Sequence, residues 1–445
     1  MPEVDRDALT SCRDFVTMSY GIRCADIRAV TLEMIMDNSA DVGPFVIDPT
    51  GRDIPGEAER IRALGPVAQV ELPGGVRAWA VTDQVLLRRL LTDSRVSKDA
   101  YQHWPAWING EISADWPLFA WVAVRNMLNA YGPDHRRLRG LIAGAFTARR
   151  IAALRPRIEA IVGGLLDELA ALPADRPVDV RERYAAQVPI KVICELFGID
   201  HEATREEVRR CVDALFTIGK APAETAAAFP RLQEILRGLV AEKRASPGDD
   251  LSSALIATRD DNAPLSEDEL VDTLVLFVNA GHETTVNLLG NAIVAMLTDP
   301  AQLDLIRSGR VTWADVIEES LRSQAPVPNL PLRFAVEDID IGGVTLRAGE
   351  AILACYGAAG RDPLVYGRGA GQFDVTRAAK DHLAFGYGVH HCLGAPLARL
   401  EAAIALPAIF ERYPDLTLAV DPGELMPLES FVSNGYRALP VWLAP

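Results

Sequence analysis

Apolar and polar residues alternate over residues 67–81 around a Pro73-Gly74-Gly75 break, a two-residue period that predicts a hairpin of short strands. Downstream the period lengthens. Over residues 151–244 apolar positions recur at helical spacing, with breaks at Leu172-Pro173 and around Ala221-Pro222, which predicts several amphipathic helices. The alanine-rich stretch 221–229, closed by Pro230, reads as a mobile connection. A long helix is predicted from Ser266, where Ser266-Glu267-Asp268-Glu269 has the form of a capping box, and no proline interrupts it before Pro300. Residues 326–333 carry Pro326, Pro328 and Pro331 and read as extended backbone. Residues 336–353 alternate around Gly342-Gly343 and Ala348-Gly349, predicting short antiparallel strands, and residues 430–434 predict a turn. The fold class is therefore mainly α with a small β region.

Two places break these local rules. The centre of the long helix reads Phe277-Val278-Asn279-Ala280-Gly281-His282-Glu283-Thr284-Thr285, with small and polar residues where a buried helix calls for apolar ones. Ala280 and Gly281 leave the backbone open to a flat ligand, and Thr284 is able to bond back to a helix carbonyl. The second place is Phe385-Gly386-Tyr387-Gly388-Val389-His390-His391-Cys392-Leu393-Gly394-Ala395, one cysteine among glycines ahead of an alanine-rich run. Glycines let backbone N–H groups turn toward a thiolate, which suits a soft metal such as iron. A buried free cysteine is the other reading of Cys392 taken alone. Zinc held by His390, His391 and Cys392 fits poorly, because adjacent side chains diverge and no CxxC or HxxH partner is present.

Composition narrows the function classes. The chain has 445 residues, 49% of them hydrophobic, enough for a sizeable core. A net charge of −16 argues against nucleic acid or an anionic membrane as partner. Six scattered cysteines without a CxxC pair fit reduced thiols in a cytoplasm. The most apolar stretch, 270–297, contains Asp272, His282 and Glu283 and makes a bad membrane span, and the N-terminus lacks the form of a secretory signal, so a soluble cytoplasmic protein is expected. Residues 1–42 are weakly periodic and read as an extension, with Met34 and Met36 as alternative starts, ahead of a single domain at 43–445. Two clusters stand out. Trp104, Trp107, Trp116, Phe119 and Trp121 crowd one short stretch, which by itself reads as ordinary core. His135 and Arg139, four apart on one helix face, are spaced to reach an anion together, which leaves Arg136 and Arg137 pointing elsewhere.

The pattern Phe-Gly-x-Gly-x-His-x-Cys-Leu-Gly, met from Phe385 to Gly394, resembles the signature of the cytochrome P450 family, and Ala280-Gly281-His282-Glu283-Thr284 resembles its second motif. The resemblance spans about residues 44–445 and points to the soluble actinobacterial branch that tailors natural products. It implies haem b (iron protoporphyrin IX) with Cys392 as the axial iron ligand, Phe385, Gly386 and Gly394 in the cofactor loop, and His135, Arg139, Arg333 and His390 at the propionates. Ala280 and Gly281 would shape the oxygen groove, and Glu283 and Thr284 would deliver protons during dioxygen activation. Glu319 and Arg322, completed by Arg377, would be a structural core pair. Trp107, Phe277, Val278, Val327, Asn329, Leu330 and Val432 would line the substrate pocket, and the resemblance implies that the aromatic stretch from Trp104 to Trp121 is a loop that covers the substrate. Gly360 stands where the family commonly has asparagine, which suggests a looser turn. The implied activity is hydroxylation or epoxidation of an apolar steroid, polyketide or cyclic peptide, with electrons from a ferredoxin and its reductase, toward which Arg136 and Arg137 would point. Oxidative C–C or C–N coupling would use the same residues, and a haem-thiolate protein that only binds ligand is the reading from another class.

Overall fold

A computed structural model describes residues 43–216, 222–260 and 263–443. The expectations for residues 1–42 fall outside the described residues. From Val46 onward the chain forms one compact unit. Helices dominate, and small sheets sit among them, in agreement with the α-rich reading.

The predicted hairpin forms between Val67–Leu72 and Val76–Val81, with Leu72 opposite Val76. Gly74 and Gly75 turn it at φ of 84° and 79°, values that only glycine adopts cheaply. Beyond the hairpin, Ala351–Ala354 runs parallel to Val76–Val81, and Leu330–Ala335 pairs with it in antiparallel fashion. Val96–Ser97 then pairs with the outer side of Leu330–Ala335, placing Ser97 opposite Phe334. This sheet therefore brings the segment after Ser97 beside Arg333.

The long helix spans Glu267–Thr298. Its capping box is made in both directions: Glu269 N–H donates to Ser266 Oγ at 3.2 Å and Ser266 N–H donates to Glu269 Oε2 at 2.9 Å. Such a box offsets part of the cost of four unpaired N–H groups at the helix start, about 1 kcal/mol. Most of its stability comes from burial, with Leu274, Val278, Leu289, Ala292 and Ile293 at 0% exposure. Helices Gln187–Phe197 and Ala395–Arg412 pack against it, and Arg155–Ala170 packs on those two and closes the main core.

Residues 222–245 correct one expectation. The alanine-rich stretch is not a connection but the start of a helix, Pro222–Ala245, with Pro230 inside it. Alanine is the strongest helix former, and a proline inside costs about 3 kcal/mol. Leu232, Leu236 and Val240, each at 0% exposure, supply packing that outweighs it. Among the described residues no helix is long and apolar enough to cross a membrane.

Candidate functional site

Cys392 sits where the loop meets the start of Ala395–Arg412. Its N–H donates to Phe385 O at 2.8 Å, which folds the loop back on itself. Gly386 and Gly388 hold φ of 69°, and a Cβ on Gly388 would lie 2.4 Å from Leu91 O, so the loop needs glycine there for both reasons. The thiol is free and open to a cavity, yet ringed by protein. Enclosure pushes it up, while the backbone N–H groups of Gly394 and Ala395, with Arg139 and Arg399, favour the thiolate. The loop thus turns two N–H groups and a helix start toward the sulfur, which offset part of the cost of burial, with its open side toward the cavity.

The facing wall is the long helix. Phe277, Ala280, Gly281, Thr284, Thr285 and Leu288 line the cavity, a stripe at helical spacing. Thr284 Oγ1 donates to Ala280 O at 2.6 Å, the back-bond expected of it. A Cβ on Gly281 would stand 3.3 Å from Ile193 Cδ1, so the glycine keeps that edge of the groove narrow but unblocked. Glu283 points away from the cavity stripe. It is buried and ion-paired with Arg181 at 3.3 Å, and Arg181 is carried by a π-helical turn at Arg181–Ala185. Sequence reading missed Arg181, whose partner lies 102 residues further along the chain.

At the cavity edge, cationic groups collect. His135 and His390 meet at 4.2 Å between ring centres with their planes tilted by 49°, and Arg139 Nη2 donates to His391 O at 2.7 Å. Arg333 Nη2 donates to Tyr356 Oη at 2.9 Å, whereas Arg333 Nη1 and His135 Nε2 are buried without a partner. Burial, followed by Lys98, His135, Arg333 and Arg139, pushes His390 down to about 2. Buried donors left without partners beside Arg139 and Arg333 call for anions, and the two carboxylates of a haem would answer that need. The residues fit the group. Arg137, expected to face an electron donor, is instead paired with Glu269.

The expected pocket residues divide. Phe277, Val327 and Leu330 line the cavity. Val278 turns into the main core, about 100° round the helix from Phe277. Asn329 is not in the wall and donates from Nδ2 to Phe431 O at 2.9 Å. Val432 is buried in its turn, outside the wall. Trp107 stands off the wall too: it lies parallel to Trp104 at 6.2 Å and meets Phe119 at 4.9 Å, while Trp104 stacks on Phe334 of the sheet at 5.2 Å. Here the aromatic stretch packs with itself and with the sheet. Two wall residues unmarked in the sequence, Phe146 and Phe197, meet Phe277 at 5.4 and 6.5 Å between ring centres. Glu401 also lines the cavity, and a charge inside an alanine-rich helix was its legible signal.

Behind the cysteine loop, Glu319 and Arg322 are both 0% exposed and joined by two bonds, at 2.7 and 2.8 Å. Arg322 also donates to the carbonyls of Gly360 and Ala370, and Arg377 Nε reaches Glu319 at 3.4 Å. The turn at Gly360 is tight rather than loose: a Cβ there would lie 2.1 Å from Arg322 O.

With this geometry, the comparisons agree. A family profile described as Cytochrome P450 matches residues 313–433. The 2-hydroxy-5-methyl-1-naphthoate 7-hydroxylase of Streptomyces carzinostaticus is 44% identical over 90% of this chain and 97% of its own length. CYP154A1 from Streptomyces coelicolor A3(2) superposes with a TM-score of 0.83 at 52% identity, covering 90% of this chain and 100% of that one. Testosterone-bound CYP154C4 from Streptomyces sp. ATCC 11861 gives 0.86 at 46% identity, covering 91% and 99%.

Proposed function

The chain belongs to the cytochrome P450 family, and on that premise we propose that this haem-thiolate monooxygenase hydroxylates a neutral, apolar, fused-ring molecule. One observation carries the proposal. The part of the cavity wall built from Phe146, Phe197, Phe277, Leu288, Val327 and Leu330 is apolar, and the charged side chains lining the cavity are Arg139 and Glu401, with His390 and His391 beside Cys392. An acid buried against that wall would lack a counter-charge, at a cost of several kcal/mol. Aromatic faces at 5.4 and 6.5 Å favour a flat ring system. Testosterone, the ligand of the CYP154C4 structure, has this character.

Haem b, bound through a cysteine thiolate, supplies the redox centre at which dioxygen is activated. Cys392 is the proposed ligand, its thiolate favoured by the N–H groups of Gly394 and Ala395. His135, Arg139, Arg333 and His390 would hold the cofactor carboxylates. Thr284 commits its proton to Ala280 O, so its oxygen keeps lone pairs free to order a water on the cavity side. Glu283, one residue away and tethered to Arg181, holds the carboxylate that exchanges protons with that hydroxyl when the tether opens. The apolar wall excludes bulk water from the site.

Members of this family take electrons from redox partners. For this chain a ferredoxin with its reductase is proposed, docking near exposed Arg136 and the exposed Tyr387 and Val389 beside the cysteine loop. Free, buried Cys194, Cys211 and Cys355 suit a reducing cytoplasm.

The test is optical titration of the ferric holoenzyme with testosterone, a hydroxynaphthoate and a macrolactone. The expected result is a spin-state shift at the lowest concentration with the neutral steroid, and binding of the acid weaker by at least about tenfold. Equal or tighter binding of the acid would overturn the proposal.

A further inference from the structure

Lys98 is the least satisfied charged side chain beside the cationic edge of the site. It is 2% exposed, and among the described residues Nζ donates to one backbone carbonyl, Leu332 O, at 3.3 Å. An ammonium carries three donors, so two are left over in a place that water does not reach. No carboxylate pairs with it among the described residues, whereas the other buried lysine, Lys243, has Asp250 at 3.1 Å. A lone buried ammonium is among the most costly groups a fold can hold, and burial with the nearby Arg333 pushes it well below the ordinary lysine range.

Its position is set by the sheet. Ser97 lies opposite Phe334, so the next residue falls beside Arg333, whose Nη1 is also buried and unpaired. His390, which lines the cavity, is also near enough to Lys98 to be influenced by its charge. His135, with its own unpaired Nε2, lies against His390 at 4.2 Å between ring centres. Two donors without a partner, Arg333 Nη1 and His135 Nε2, and an under-bonded ammonium thus gather near His390, which lines the cavity.

We propose that Lys98 binds a haem carboxylate directly and shares with Arg333 the charge of one propionate. The cost of burying the ammonium is offset only when the cofactor is seated, so the residue belongs to cofactor retention rather than to the fold alone. Asp99, which follows, caps the helix Ala100–His103 by accepting from Gln102 N–H, so a bound carboxylate also anchors the start of the aromatic stretch.

The test compares holoenzymes carrying Lys98→Met and Lys98→Arg with the parent. Haem release to excess apomyoglobin and the ferric–ferrous reduction potential are the readouts. Loss of a charge-assisted bond should make Lys98→Met release haem about 10- to 100-fold faster. Its potential should move to more negative values, because an uncompensated carboxylate favours the ferric state. Lys98→Arg should stay within about threefold of the parent in release rate, since it keeps the charge. Parent-like release and potential in Lys98→Met would overturn the assignment, as would equal damage in Lys98→Arg, which would mark a packing role. Should Lys98→Met fail to accumulate folded, Lys98→Gln, with a donor but no charge, gives the same two readings.

Discussion

At the scale of single residues, the roles separate by which way a side chain faces. Thr284 and Glu283 are neighbours in sequence, yet the hydroxyl lines the cavity and the carboxylate is held on another face by Arg181. The relay proposed above therefore needs Glu283 to leave Arg181 before it can serve Thr284. Thr284→Ala removes the hydroxyl without opening the groove. Electron consumption should continue while product per electron falls at least about tenfold and peroxide rises. Product formation as tightly coupled as in the parent would count against the relay. Ligand binding should be unaffected, because the hydroxyl's proton is spent on Ala280 O.

At the scale of elements, the chain leading into the cysteine loop is held from behind. The helix Trp313–Ser323 presents Glu319 and Arg322 to the loop connections, and Arg322 gathers the carbonyls of Gly360, Ala370 and Gln372. Glu319 also accepts from Asp374 N–H at 2.8 Å. A buried pair of this kind is costly to break from one side, since the surviving charge has nowhere to go. Glu319→Gln should lower stability by about 3–5 kcal/mol, read as an earlier urea midpoint with haem loss in the same transition. A midpoint within about 0.5 kcal/mol of the parent would show that the carbonyls alone neutralise Arg322. The i,i+3 spacing alone suggests a surface pair worth far less. Burial changes its worth, and burial is not written in two residues.

For the molecule as a whole, the cavity leaves one ionisable group in an apolar setting. Burial pushes Glu401 up to about 8, and its Oε2 has no partner. Between the ordinary carboxylate value and that raised one, the folded protein keeps a proton that the unfolded chain releases. Stability from this group is therefore present at low pH and is lost as pH rises from about 4.5 toward about 8. Glu401→Gln cannot release a proton, so its melting temperature should gain on that of the parent from about pH 5 to about pH 8. A constant difference across that range would mean the carboxyl is ionised in the folded protein.

Much of the site was legible because its motifs are local. The cysteine, its glycines and Ala395 lie within one loop, and Ala280 to Thr284 within little more than one helical turn, so chain adjacency alone sets their geometry. The hairpin, the capping box and the long helix follow from periodicity and cap chemistry for the same reason. Other features needed the tertiary structure. The pocket wall joins Phe146, Phe197 and Phe277 from three helices or their ends, and no spacing in the chain links them. Val278, Asn329, Val432 and Trp107 had suitable chemistry but were turned elsewhere by helix phase, a backbone bond or aromatic packing. Gly360 looked like a relaxed turn until Arg322 O was found against it. Lys98 looked like any lysine. The sequence by itself determined the thiolate, the helix opposite it and the family, because those rest on contacts between near neighbours. Only the fold decided which buried donors gather beside His390 and which side chains line the cavity, because those depend on strands and helices brought together from far along the chain.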